Sequence, residues 1–332
     1  VGETTGSKKS TTRTTRTTKA VAPPDDPQRP KEEEKEEEPE TPVSTLPDVT
    51  LPPSTTAGTP TTTTKGTVTT VTGSAGTTAS TAPPTTSPPP STGWHTAGGQ
   101  TYYYLNGKKL TGYQDIGKAK YYFDKDGALS SKVGIDVSTY QGDINWNQVK
   151  ADGVDFAFIR LGARGWGTAG TMFTDAKYEA NMKGSIAAGV DRGVYFFSQA
   201  ISATEAVEET DFVLEHIQPY QITGPVVYDT EEIKDDTART DQNTREDFTN
   251  FCKVFCDGVK QAGYQPMIYA NMKWMAFTLK MEELTEYDFW YADYHELPQC
   301  PYDYKMWQYS EAGTVPGIRA SVDLDLWFQE EN

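Results

Sequence analysis

From Lys132 onward, short apolar runs alternate with longer segments of helical period. Runs at 133–137, 156–161, 193–198, 226–230, 267–270, 289–292, 306–309 and 322–326 each read as a strand. Helical patterns fall at 146–151, 175–188, 203–217 and 244–262. The third helix follows Ser202 and has Glu205 three residues later, a capping-box start. Gly189 and Gly263 stand where a helix ends on glycine. Strands that alternate with helices predict a mainly parallel sheet covered on both faces. Eight strands in about 200 residues fit a barrel better than an open sheet. The last three strands are joined by segments with little helical pattern. The expected fold is therefore α/β, a TIM-like barrel with helices missing near its C-terminal end.

The pattern is different before residue 132. Residues 1–92 contain no Phe, Tyr, Trp, Ile, Met, His or Cys, and 15 of the chain's 21 prolines lie there. Such a segment buries too little apolar area to offset chain entropy. It is expected to be a disordered, extended Thr/Pro-rich stalk. A tail without function is the alternative. No secretory signal is read after Val1.

Between stalk and barrel lies a short repeat. Gly99-Gln100-Thr101-Tyr102-Tyr103-Tyr104-Leu105-Asn106-Gly107 parallels Gly117-Lys118-Ala119-Lys120-Tyr121-Tyr122-Phe123-Asp124, which is followed by Gly127. Each unit predicts strand, tight turn, strand. A lone hairpin is marginal in water, so units of this kind stack. The division is thus 1–92 stalk, 93–131 hairpin repeats and 132–332 barrel.

Charge follows the same division. Residues 1–132 hold 15 basic and 14 acidic residues, and residues 133–332 hold 15 and 33. The barrel is strongly acidic, which argues against a nucleic-acid partner. No apolar run is long enough to span a membrane. Cys252, Cys256 and Cys300 read as small buried thiols. With three histidines, no metal site and no cofactor are implied.

Candidate chemistry lies at the strand ends, where parallel barrels gather their reactive groups. Asp136 ends the first strand, Asp229 and Glu231 end the fourth, and Asp323 opens the last. Positions i and i+2 of an extended strand share a face, so Asp229 and Glu231 both enter the barrel mouth. Two neighbouring carboxyls do not both ionise cheaply, and the raised pKa suits a general acid. Glycoside hydrolysis commonly uses paired carboxyls. Aromatic residues on or beside the strands include Tyr195, Tyr269, Trp290 and Trp307, with polar Gln199, Asn271, Asp293 and Gln308 nearby. Rings that stack on sugars, flanked by amides and acids, suggest a sugar groove.

These residues together resemble the glycoside hydrolase family 25 lysozymes, the Chalaropsis-type muramidases. The resemblance covers about residues 132–332. It rests on eight short pieces in order, among them Gly134-Ile135-Asp136-Val137-Ser138, Tyr228-Asp229-Thr230-Glu231, Trp307-Gln308-Tyr309-Ser310 and Val322-Asp323-Leu324-Asp325. It implies a (β/α)5(β)3 barrel that cleaves the β-1,4 bond between N-acetylmuramic acid and N-acetylglucosamine in peptidoglycan. By position, Glu231 matches the acid/base and Asp229 its partner. Asp136 and Asp323 match the other acidic groove residues, with Asp325 a second candidate for the last role. The attacking group is either the substrate's N-acetyl oxygen or Asp229. The hairpins resemble cell-wall-binding repeats of the choline- and glucan-binding type. That implies a choline of wall teichoic acid, or a glucan, as partner of residues 94–130. A structural module packed on the barrel is the alternative. A monomer is expected, outside the cell or on the surface of a Gram-positive bacterium. Two other functions compete. One is a chitinase of the family 18 type, which lacks support because Pro225, Val226 and Val227 stand where further aspartates belong. The other is a non-catalytic wall-binding or adhesin protein.

Overall fold

The computed structural model describes residues 88–233 and 238–329. Most of the stalk expected over 1–92 lies outside the described residues.

The chain enters through five short strands: β1 (Gly93–Ala97), β2 (Gln100–Leu105), β3 (Lys108–Lys109), β4 (Gly112–Ile116) and β5 (Ala119–Phe123). β1, β2 and β3 form one antiparallel sheet, and β4 and β5 form a hairpin. The Asn106-Gly107 turn between β2 and β3 has φ of 52° and 76°. Both angles are positive, as the tightest hairpin turn requires, and Asn-Gly tolerates them best. After β5, Asp124 Oδ1 accepts the N–H groups of Asp126 and Ala128 and folds the chain back onto Phe123. The repeat seen in the sequence is thus a repeat of hairpins.

The barrel follows. Its strands are β6 (Ser131–Val137), β7 (Phe156–Arg164), β9 (Asp191–Ser198), β10 (Val226–Thr230), β11 (Pro266–Asn271), β12 (Asp288–Ala292), β13 (Met306–Gly313) and β14 (Val322–Phe328). A short β8 (Met172–Thr174) pairs with the extended end of β7. β6 pairs with β7 on one side and β14 on the other, which closes the sheet. The eight barrel strands run parallel to their neighbours except β14, which is antiparallel to both β13 and β6, and the short β8 is antiparallel to β7. Helices α1 (Trp146–Ala151), α2 (Tyr178–Ala188), α3 (Ala203–Ile217) and α4 (Arg245–Gln261) cover the early strands. Ser202 caps α3 by accepting the Glu205 N–H, and Gly189 ends α2 in the left-handed conformation. After β11, a single π turn at Trp274–Thr278 stands where a fifth helix would be.

Two cores result. Inside the barrel, Phe158, Tyr195 and Tyr269 surround Trp290, which stacks on Phe158 at 4.6 Å. Gly134 has no side chain because the Phe156 ring fills that space; a Cβ there would meet it at 2.1 Å. Outside the barrel, helices pack on the outward side chains. Where helices are missing, the hairpins take over. Tyr113 meets Trp307 edge-on at 5.4 Å and Phe328 at 6.1 Å, and Tyr122 meets Phe328 at 5.6 Å. The Lys120 N–H donates to the Tyr309 hydroxyl, and the Tyr122 N–H to Ser131 Oγ. The hairpin rings therefore join the barrel's outer core, with Tyr103, Tyr121 and Phe123 buried in it. On the outer side of the hairpins, Lys109 lies over the Tyr102 ring at 3.6 Å.

Candidate active site

Strand alternation decides what reaches the mouth. On β10, Val227 lies in the barrel interior, and Asp229 points the same way. Tyr228 points outward, where its hydroxyl meets Ser198 Oγ at 2.6 Å and donates to buried Glu209. Glu231 follows just beyond the strand on the side of Asp229. Both line a cavity of about 550 Å³ at the strand ends. Asp136, Asp323, Tyr195, Tyr269 and Trp290 line the same cavity. Seven of the eight residues singled out from the sequence meet there.

The eighth does not. Trp307 lies between inward Met306 and Gln308 on β13, so its ring leaves on the outer face. It is fully buried there, its Nε1 donates to the Asp293 carbonyl at 2.6 Å, and Tyr113 covers it. It touches no sugar groove, and its assignment to substrate binding is corrected to packing. Proximity to a strand end does not tell which face of the strand a ring occupies.

Asp323 reaches the mouth because β14 runs antiparallel, so its first residues lie where the other strands end. Its register partner across the ladder is Asp136. Facing like charges destabilise a sheet, so protons must be shared. Burial, then the charges of Asp323 and Asp325, hold Asp136 well above the usual carboxyl range, against the opposing pull of Gln308. Burial, opposed by its hydrogen bond with Asp136, leaves Asp323 pushed up to about 6. Asp325 lies deeper and is fully buried. Trp290 Nε1 donates to its Oδ1 at 2.9 Å, and its carboxyl also shares a hydrogen bond with Asp136. Asp325 thus fixes the indole that floors the cavity rather than lining it.

Glu231 is pushed up to about 7, first by burial and then by the charge of Asp323. It is therefore substantially protonated near neutral pH while facing an open cavity. Asp229 is 2% exposed at the inner wall.

Gln308, in the sequence only a polar residue beside the aromatic strands, is the hub of the mouth. Its Nε2 donates to Asp136 Oδ2 at 2.7 Å. Its Oε1 accepts the hydroxyls of Tyr269 and Tyr294, each at 2.9 Å. The alternation Met306, Trp307, Gln308 was the available signal. Tyr294 sits on the loop after β12, where no period marks it. Of the 18 residues lining the cavity, six are carboxylic acids and none is Lys or Arg. A polyanionic ligand is disfavoured in such a mouth. A neutral or cationic glycan is not. Among the described residues, no cluster of His, Cys, Asp and Glu has the arrangement of a metal site.

Comparison with known proteins agrees with this geometry. The model of the glycosyl hydrolases family 25 matches residues 135–318. Lysozyme M1 of Streptomyces globisporus is 26% identical over 215 residues, covering 58% of this chain and 67% of that protein. The crystal structure of the bacterial lysozyme from Streptomyces coelicolor is similar at TM-score 0.51 and 25% identity, over 60% of this chain and 93% of that one. The modular autolysin LytC from Streptococcus pneumoniae, in complex with a synthetic peptidoglycan ligand, shares the fold at TM-score 0.54 and 23% identity, over 71% of this chain and 66% of that one. The hairpins at 93–131 lie outside the family match. With more than half of its length matched and its inward carboxyls gathered at one barrel mouth, the chain belongs to the glycosyl hydrolases of family 25.

Proposed function

We propose that the chain is an N-acetylmuramidase, a lysozyme that cuts the β-1,4 bond between N-acetylmuramic acid and N-acetylglucosamine in peptidoglycan. The observation that carries the reading is Glu231: a carboxyl at an open cavity, held near 7 by burial and by Asp323. A general acid needs that match between pKa and working pH. Neutral Glu231 gives its proton to the glycosidic oxygen as the bond to the anomeric carbon breaks. The resulting carboxylate then takes a proton from the water that completes hydrolysis. Asp229, two residues earlier on the same face, orients the substrate's N-acetyl group so that its carbonyl oxygen attacks the anomeric carbon. Asp136, held by Gln308, and Asp323 bind sugar hydroxyls. Tyr195, Tyr269 and Trp290 form the apolar floor beneath a sugar ring.

The work of such an enzyme is on a bacterial wall, outside the cell. In this reading residues 1–92 are a spacer and residues 93–131 brace the barrel. The aromatic packing against Trp307 and Phe328 supports the brace. A choline or glucan contact is left to the outer hairpin surface, where Lys109 already covers Tyr102.

The test is digestion of purified peptidoglycan, borohydride reduction and mass spectrometry of the new ends. Reduced muramic acid ends are expected. Reduced glucosamine ends would move the cut to the other bond. No release by folded protein would overturn the hydrolase reading.

A further inference from the structure

A second cavity, of about 330 Å³, opens on the far side of the 231–233 segment. Glu231, Glu232 and Ile233 line both cavities, so the backbone that carries Glu231 is the partition between them. The remaining walls come from the turn at 240–243, the start of α4 and the π turn after β11.

Its chemistry is unlike that of the main cavity. It contains a cation: Lys273 Nζ pairs with Glu232, and both side chains are more than half exposed. Asp241 adds a third carboxylate after Glu231 and Glu232. Phe248 and Trp274, edge to face at 4.8 Å, give it an apolar wall. An exposed ion pair is held weakly, so either partner is free to exchange for a ligand charge. A short peptide with free carboxylates and an amine offers a partner to each sign of charge and apolar side chains to the ring wall.

We propose that this cavity receives the peptide substituent of the peptidoglycan strand on the leaving-group side of the cut. The proposal rests on the muramidase reading. Glu231 protonates the leaving oxygen, so the strand beyond that oxygen extends along the side of the partition where Glu231 stands. Peptidoglycan carries its peptides on muramic acid, every second sugar. The first peptide beyond the cut therefore hangs one sugar past the leaving residue, at the distance of a neighbouring cavity rather than of the mouth itself. A ligand carboxylate takes Lys273, and a ligand amine takes Glu232 or Asp241. The enzyme then distinguishes peptide-bearing glycan from bare glycan.

The test compares two soluble substrates: glycan strands that bear their peptides, and the same strands after an amidase has removed them. The protein is the full chain. Two variants are used, Lys273→Met to remove the cation and Thr278→Trp to fill the cavity from a half-buried position in its wall. Melting curves establish that both fold. Wild type is expected to have kcat/KM about tenfold higher on peptide-bearing strands, the effect of one charged contact. Both variants should lose about that factor on peptide-bearing strands and change by less than about twofold on bare strands. Equal losses on the two substrates would assign the cavity to the sugar chain and overturn the proposal. So would wild type that cuts both equally well. Wild type that cuts neither overturns the muramidase reading, and this proposal with it.

Discussion

Strand β13 carries Gln308 on its inner face and Trp307 and Tyr309 on its outer face. On the inside, Gln308 ties Asp136 to two phenols, and four carboxyls are held above their ordinary pKa. On the outside, Trp307 and Tyr309 meet the aromatic hairpins that stand in for missing helices. The inner face holds groups whose burial works against stability, and the outer face holds apolar rings that supply it. One strand thus separates chemistry from support by a single step in register.

The comparison can be broken from either side. The largest effect is expected at Glu231→Gln. Removing the proton donor should lower muropeptide release by about 10²–10⁴-fold, with melting temperature unchanged or raised. A fall in stability to match would mean that the inner face is structural after all. Next comes Trp307→Ala, a large-to-small change in a fully buried site. It should destabilise the fold by about 3–5 kcal/mol in denaturant unfolding, while kcat/KM per folded molecule changes by about twofold or less. Loss of activity without loss of stability would return Trp307 to the groove.

Gln308→Leu sharpens the comparison at one residue. It removes the donor to Asp136 and leaves the Tyr269 and Tyr294 hydroxyls without their acceptor. A cost of about 1–3 kcal/mol in denaturant unfolding is expected from the unsatisfied groups, together with a lowered kcat/KM as Asp136 loses the amide that holds it.

The smallest effect is on stability against pH. Glu231 and Asp323 titrate in the folded protein at about 7 and about 6, and Asp136 and Asp325 are also raised. Unfolded carboxyls titrate near about 4. The folded state therefore holds protons that the unfolded state has released. Stability from these groups is fully present below about pH 4 and is lost as pH rises through 6 and 7. Carboxylates with lowered pKa, such as Glu205 beside Arg239, act in the opposite direction only at lower pH. Unfolding at pH 5 should thus need about 1–3 kcal/mol more than at pH 8. A stability that is flat over that range would contradict the burial of these acids.

Much of this was legible in the sequence, for definite reasons. The eight strands and four helices stand within a few residues of their apolar runs, because each element is long enough to show its period. Asp229 and Glu231 both line the mouth, as a two-residue spacing on extended chain predicts, although Glu231 stands just past the end of β10. Trp307 was misplaced because barrel strands are apolar on both faces, so hydrophobicity alone does not tell inside from outside. The pairing of Asp323 with Asp136 depends on β14 running backwards, which no local pattern encodes. The role of the hairpin rings depended on an unfilled outer face some 200 residues later in the chain, a tertiary fact.

The central claim is that Glu231 keeps its proton near neutrality. The direct measurement is a side-chain carbon NMR titration of glutamate-labelled protein, wild type against Glu231→Gln. One carboxyl resonance with a midpoint near 7 should vanish in the variant. If the resonance that vanishes has its midpoint near about 4.3, the value of an unperturbed glutamate, Glu231 is ionised at working pH and the proton donor is another group.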